Sequence, residues 1–270
     1  MSYVHGYTTR ETQRLLEQSL ILEDLLHTGT SYLQGEKVLE AGCGVGAQTR
    51  ILSRRNPGTA FECVDISPES VEQARGVARQ ERIHNATFKE ADILSLPYSP
   101  ASFNHVFVCF VLEHLHDPVT VLRSFLEILT PGGSITVIEG DHGSGFWTPE
   151  TAESRMAWKG LVDSQIALGH DPNIGRRVYP LLDAAGFQIQ DVSPRWVYAD
   201  QSNPTLLDGV INQIIAPMVY SAQKQVLDSA CMQAGEWEKG LADIRKVARD
   251  PAGTFFYTWF KGVGIKPSSQ

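Results

Sequence analysis

The chain has little cysteine. Its 270 residues hold four, Cys43, Cys63, Cys109 and Cys231, widely separated, with no C-x-x-C pair and no zinc-ligand spacing. That excludes a disulfide scaffold and a zinc module, and leaves a reduced, cytoplasmic protein as the expectation. Long apolar runs are also missing. The longest, Val106 to Leu112, is strand-sized, well short of the roughly 18–20 residues a spanning helix needs, so no membrane span is expected. The opening MSYVHGYTTRETQ is polar and lacks a secretory apolar core. Basic charge is not in excess: Lys plus Arg is 23 against 31 for Asp plus Glu, a formal charge of −8. A uniformly basic surface is therefore not expected, a local basic patch stays open, and no nucleic-acid partner is expected. The chain has no internal repeat and no low-complexity tract. Apolar residues make up 42% and charged residues 20%, which suits a folded globular chain.

Along its first 140 residues the chain alternates between two periods. Residues 10–27 (RETQRLLEQSLILEDLLH) space their leucines as a leading amphipathic helix. Strands are expected at 37–41, 60–64, 87–90, 103–110 and 134–139, with helices at 47–55, 67–82 and 117–129 between them. Ser67 with Pro68, and Asp117 with Pro118, mark helix starts. Each connection is long enough for a right-handed crossover, so the expected fold class is α/β, a doubly wound Rossmann-like sheet with helices on both faces. After Gly140 the rhythm changes. A helix from Thr148 to Leu168 is expected, then a helix at 176–185 ended by Gly186, a strand at 187–192, helices over 204–249 broken near Pro217 and Gly235, and a final aromatic strand, TFFYTWFKGVGI, at 254–265.

The informative segment is VLEAGCGVGAQT at 38–49. Gly42, Gly44 and Gly46 stand where a strand turns sharply into a helix, a place for positive φ angles and close backbone approach. A glycine loop alone is weak evidence, since Gly42-x-Gly44-x-x-Ala47 also fits a dinucleotide fingerprint. The acids around it carry more weight. Glu40, two residues before the first glycine, suits a cationic amine and opposes a pyrophosphate. Asp65, at the end of the second strand, suits two ribose hydroxyls. Asp92, after the third strand, suits an adenine amino group. Three acids at successive strand ends describe a pocket for a positively charged nucleoside without phosphate.

This pattern resembles the class I S-adenosylmethionine-dependent methyltransferases, in particular the small-molecule, ubiquinone/menaquinone-type branch. The matching segments are VLEAGCGVGAQT at 38–49, VDIS at 64–67, ADILSLPY at 91–98, FNHVFVCFVLEHLHD at 103–117 and LTPGGSITVIE at 129–139, with a weaker echo at 175–192. The resemblance implies a seven-stranded, mostly parallel sheet with an antiparallel last strand and a helical cap. It implies the cofactor S-adenosyl-L-methionine, the product S-adenosyl-L-homocysteine, and no metal. Backbone around Gly42, Cys43, Gly44 and Gly46 would approach the methionine part. Gln48 or Thr49 would contact its carboxylate. Asp65 would hold the ribose, Ile66 would pack on the adenine, and Asp92 and Ile93 would cover its edge. Cys109 and Phe110 would lie beside the sulfonium, and His114 would face the methionine carboxylate or the acceptor.

For the acceptor, a small molecule methylated on O, N or C by in-line displacement, acid–base or orienting candidates are His114, His116, Glu139, Asp141 and His142. His142 has glycine neighbours and is expected to face the acceptor, with His114 as the second candidate. Specificity is expected outside the shared core. Residues 1–30, with Tyr3, His5 and Tyr7, form a lid, and 31–140 the cofactor-binding core. Residues 141–175 and 195–250 are expected to form a helical cap, with Phe146, Trp147, Trp158, Tyr179, Trp196, Tyr198, Met218 and Tyr220 as its aromatic and apolar lining. Residues 176–194 and 251–270 complete the sheet, and the whole is one domain. Arg176 and Arg177 are candidates for an acidic substrate group. Three alternatives stay open: an NAD(P)-dependent oxidoreductase, a non-catalytic cofactor-binding subunit, and a methyltransferase acting on protein or RNA.

Overall fold

The computed structural model describes residues 9–268, with side chains from residue 12; Tyr3, His5 and Tyr7 lie outside the described residues. In chain order the elements are α1 (Thr9–Ile21), α2 (Glu23–His27), β1 (Lys37–Ala41), α3 (Thr49–Arg55), β2 (Ala60–Asp65), α4 (Pro68–Gln80), β3 (Ala86–Glu90), β4 (Phe103–Cys109), α5 (Pro118–Ile128), β5 (Leu129–Thr148), α6 (Ala152–Ala167), α7 (Val178–Ala185), β6 (Gln188–Asp200), α8 (Pro204–Asp208), α9 (Ala216–Ser221), α10 (Gln223–Asp228), α11 (Ala234–Lys246) and β7 (Thr254–Ile265). Short 3-10 turns cover Leu112–His114, Ile174–Arg177 and Val247–Arg249, and a π-helical stretch covers Gly209–Ile215.

The strands form one seven-stranded sheet in the order β3-β2-β1-β4-β5-β7-β6. From β3 to β5 neighbours run parallel, with Glu40 opposite Cys63 on one side and Phe107 on the other. The last strand is antiparallel. Accordingly, the start of β5 meets the end of β7: Gly132 donates its N–H to the Lys266 carbonyl at 3.0 Å, and Lys266 donates to Gly133 at 2.8 Å. Between β1 and β4 the order reverses. At such a switch point the connections leave on opposite faces and open a crevice at the strands' carboxyl ends.

Two compact units divide the chain. The core unit comprises Glu23–Gly140, Ile174–Arg195 and the described residues from Trp259 onward. Its interior is the apolar face of the sheet and the helix stripes laid on it: Leu39, Val106, Val108 and Val137 from strands, Leu122 and Phe125 from α5, and Leu182 from α7, all fully buried. Local chemistry fixes the helix starts. The Ser67 hydroxyl accepts the Ser70 N–H at 3.2 Å, and Asp117 accepts the Thr120 N–H at 3.1 Å, each just before a proline that takes the first helical position.

The second unit comprises the described residues up to Leu22, Asp141–Asn173 and Trp196–Thr258. Here α6 and α11 pack at a glycine. A Cβ on Gly240 would lie 2.3 Å from the Glu153 carbonyl oxygen and 3.0 Å from the Ala157 Cβ, so any side chain would push these helices apart. Thr151 and Ser154 form a reciprocal cap on α6, and Thr151 also donates to Asp243 of α11 at 2.9 Å.

Several boundaries differ from the sequence expectation, each for a physical reason. The expected single helix at 10–27 breaks at Leu22, which is buried. The fifth strand runs to Thr148 instead of ending at Glu139, because its glycines sit in extended backbone beside β7 rather than in a loop. Thr258 donates its N–H to Ser144 Oγ at 2.9 Å, and Gly145 leaves the space that the Trp158 ring fills. Helix α6 consequently starts at Ala152, four residues late. Pro217 does not break the 204–221 region but stands in the first turn of α9, and Gly235 lies in the first turn of α11. Strand β6 extends to Asp200. Of the aromatics assigned to the cap, Trp147 and Trp158 are buried in the second unit, whereas Phe146, Trp196 and Tyr198 are exposed; Tyr179 is exposed on the core unit. Phe146 and Trp196 both stack on Phe256, at 4.9 and 6.3 Å between ring centroids.

Candidate functional site

The switch-point crevice is built on the bend after β1. Gly42, Gly44 and Gly46 have φ of +75°, +51° and +79°, the left-handed region that side chains strain. Their surroundings differ. A Cβ on Gly42 would strike Val111 Cγ2 at 2.5 Å, and one on Gly46 would press Ala74 of α4 at 3.2 Å, so these two serve close packing. Around Gly44 there is nothing within 4 Å, so that position faces open space.

The bend is tied to β2 by backbone and by carboxylate. Gly42 and Cys43 donate to the Val64 carbonyl, each at 2.9 Å, and Gly44 donates to Asp65 Oδ2 at 2.8 Å. Asp65 Oδ1 accepts the Ser67 N–H at 2.9 Å. Burial raises the Asp65 pKa against the lowering effect of these amides. Beneath the bend lies Glu40, only 3% exposed, accepting from the Thr49 hydroxyl at 2.5 Å and from the Cys63 thiol at 3.4 Å. Burial lifts its pKa to about 7, opposed by those two hydrogen bonds and helped by the charge of Asp65. Cys43 is buried, and burial followed by the charges of Glu40 and Asp65 pushes its thiol pKa up. The field at the glycine bend is therefore acidic.

Further along, Ile66 follows Asp65 and is 47% exposed, an apolar face open to solvent. Ala91 donates to the Asp65 carbonyl at 3.0 Å, which sets Asp92 at the adjacent strand end. Asp92 is half-buried, with Oδ1 accepting the Leu94 N–H at 2.9 Å; Ile93 is packed into the core instead of facing outward. Gln48 and Thr49, the two candidates for a ligand carboxylate, differ sharply. Thr49 is fully buried and spends its hydroxyl on Glu40. Gln48 is half-buried, with Oε1 bonded to His27 Nε2 at 2.7 Å.

Opposite the bend, at the end of β4, Cys109 and Phe110 are half-buried. Burial, then the charges of Glu139 and Glu40, raise the Cys109 pKa. Phe110 holds φ +59°, unusual for a non-glycine residue, and donates its N–H to the Ile138 carbonyl at 2.9 Å. His114 ends the 3-10 turn, 3.4 Å from Glu113, and burial lowers its pKa to about 4, so it is neutral near pH 7.

His142 belongs to the second unit. It is 6% exposed there, with Nδ1 bonded to the Tyr257 hydroxyl at 2.6 Å and its ring 5.5 Å from Trp158. Asp141 is buried and accepts the Gly143 N–H at 3.1 Å, while His116, Arg176 and Arg177 are exposed. Among the described residues no cluster of three or more His, Cys, Asp or Glu is placed to hold a metal.

Two contributors, His27 and Lys261, belong to no motif in the sequence. The signal for Lys261 is a lone charge on the inward face of the aromatic strand at 254–265. Glu139, an acid–base candidate from the sequence, has a different part. It is fully buried, and Oε1 accepts the N–H groups of Val111 at 2.9 Å and Leu112 at 2.7 Å, so it holds the turn after β4.

A family model described as a methyltransferase domain matches residues 33–186. The demethylmenaquinone methyltransferase of Tropheryma whipplei is 29% identical over 162 residues, covering 54% of this chain and 66% of that protein, so the chain spans just under two thirds of that relative. An uncharacterised methyltransferase of Schizosaccharomyces pombe is 27% identical over 236 residues, 83% of this chain and 82% of that one. Among solved structures, a phosphoethanolamine N-methyltransferase of Haemonchus contortus, in complex with phosphomonomethylethanolamine and S-adenosylhomocysteine, superposes with a TM-score of 0.60 at 15% identity. It covers 99% of this chain and 61% of that one. At that identity the likeness speaks for the fold.

Proposed function

The chain belongs to the methyltransferase-domain family, and from that premise we propose that it transfers a methyl group from S-adenosyl-L-methionine to a small-molecule acceptor. The observation that carries this reading is the acidic bend. Glu40 lies beneath it, Asp65 takes the Gly44 amide, and Gly44 opens onto free space. A pyrophosphate would meet two carboxylates and find the Gly44 amide already spent, which weighs against the dinucleotide alternative. A cationic ligand without phosphate meets a complementary field.

In this reading the backbone of Gly42, Cys43, Gly44 and Gly46 borders the methionine moiety, and Glu40 accepts from its ammonium. Asp65 keeps acceptor capacity for the ribose hydroxyls. Ile66 lends its exposed face to the adenine, with Asp92 at its edge, while Ile93 stays packed in the core. Cys109 and Phe110 flank the sulfonium, and His114 stands nearby as a neutral group. Gln48 takes the carboxylate. The bound cofactor supplies an electrophilic methyl group, and the protein's part is orientation and exclusion of water. A small-molecule acceptor is supported by the demethylmenaquinone-acting relative, and the −8 charge weighs against RNA. No described helix is long and apolar enough to cross a membrane. The four free cysteines support a reducing, cytoplasmic setting.

S-adenosylhomocysteine at about 100 times its Kd is expected to stabilise the fold by about 2.7 kcal/mol, and NAD not at all. Stabilisation by NAD alone would overturn the reading.

A further inference from the structure

Gln48 stands at the N-cap position of α3 but makes no side-chain cap. Its carbonyl oxygen is bonded to His27 Nε2 at 2.7 Å instead, and its amide nitrogen has no protein partner among the described residues. A carbonyl oxygen only accepts, so His27 Nε2 carries the proton, and the Gln48 amide is turned so that its two N–H donors point away from His27. The His27 ring is fully buried and lies on Phe107 at 5.7 Å, with 16° between the planes. Among the described residues its buried Nδ1 has no partner.

The segment bearing His27 is itself held. Lys261, 2% exposed, donates from Nζ to the carbonyls of Leu26 at 3.3 Å and Thr28 at 2.9 Å, and to the Thr30 hydroxyl at 2.5 Å. Those carbonyls flank His27 on both sides. At the other end of α2, Arg54 and Arg55 pair with Glu23 and Asp24 at 2.5–3.1 Å. Burying an ammonium on backbone carbonyls is costly, and here it fixes one histidine against one glutamine.

We propose that His27 is a positioning residue that presents the Gln48 amide donors to the carboxylate of the cofactor's amino-acid moiety, with Lys261 holding His27 in place. The proposal rests on the methyltransferase reading above, and its test separates the two. The probes are S-adenosylhomocysteine, which carries the carboxylate, and 5′-methylthioadenosine, which shares the nucleoside and lacks the amino acid. His27→Phe keeps the stacking on Phe107 and removes the donor. By calorimetry it weakens S-adenosylhomocysteine about tenfold, the scale of a lost charge-assisted hydrogen bond, and leaves 5′-methylthioadenosine unchanged. His27→Gln, whose amide nitrogen can stand where Nε2 stood, restores most of the affinity. Gln48→Ala gives the same loss as His27→Phe, and combining the two adds nothing further. Equal weakening of both ligands, or losses that add in the double variant, would overturn the proposal. Should His27→Phe fail to fold, His27→Gln and Gln48→Ala still decide it: an unrescued His27→Gln beside an unaffected Gln48→Ala refutes it. Wild-type protein that binds neither probe refutes the methyltransferase reading itself.

Discussion

Affinity for S-adenosylhomocysteine is expected to rise about tenfold per pH unit up to about pH 7 and then level off. The cause is Glu40. In the ligand-free protein burial lifts its pKa to about 7, so near neutrality about half the molecules hold it protonated. A cationic amine at this site binds the ionised form, so the observed affinity follows the fraction ionised, which falls tenfold for each unit below the pKa. Binding below pH 7 should accordingly release close to one proton, visible as a buffer-dependent enthalpy. Glu40→Gln imitates the protonated acid and keeps an acceptor for Thr49. It should bind like wild type at pH 5, bind about 100-fold more weakly at pH 8, and show no pH dependence. A variant with a wild-type pH profile would show that Glu40 does not meet the ligand's charge. The same group sets a slope in stability. A carboxyl whose folded pKa exceeds its unfolded value stabilises fully below the unfolded pKa and loses that contribution as pH rises through the folded one. The ligand-free protein should therefore lose stability between about pH 4.5 and 7 through Glu40, and Glu40→Gln should remove that share of the loss.

The sequence reveals features whose causes are local. The glycine bend is written in three residues that must take left-handed angles, and all three do. Helix starts at Ser67 and Asp117 are written in side chains that cap amides three residues on. The acids at the strand ends were visible as acids, but the use of their oxygens was not. Asp65 spends both carboxylate oxygens on the amides of Gly44 and Ser67, and Glu40 turns to Thr49 and Cys63. Those choices depend on how β1, α3 and β2 stack, and no residue spacing states it. The reach of β5 to Thr148 was hidden for a related reason. Glycines that read as a loop are extended because a strand far along the chain pairs with them and an indole fills the space they leave. Longest in reach is the support of Gln48. Its partner lies 21 residues away, and the lysine behind that partner donates to Thr28 across 233 residues. A helix-terminal histidine and a lysine among aromatics carry no local sign of meeting.

Glu139 combines this hidden connectivity with a large energetic stake. Fully buried at the end of the β5 stretch within the core unit, it accepts two successive amides, Val111 and Leu112, in the turn after β4. That turn begins with Phe110 in the left-handed region and brings Val111 against Gly42, so the carboxylate holds a strained backbone on one wall of the crevice. Glu139→Ala leaves two buried N–H groups without an acceptor and should cost about 3 kcal/mol in urea unfolding. Cofactor affinity should fall as well, because the Val111 wall loosens. Glu139→Gln keeps one oxygen for the same amides and removes the ionisable proton. Burial and the charge of Glu113 raise the Glu139 pKa, so the wild-type carboxyl stabilises at low pH and loses that contribution as pH rises through its folded value. Glu139→Gln should therefore match wild type in acid and exceed it at pH 8–9. If Glu139→Ala unfolds at the wild-type urea midpoint, the two amides find other acceptors and the turn is held by its packing alone. If Glu139→Gln is weaker than wild type at high pH, the ionised carboxylate is the stabilising form, and the burial cost assigned to it here is repaid by the amides.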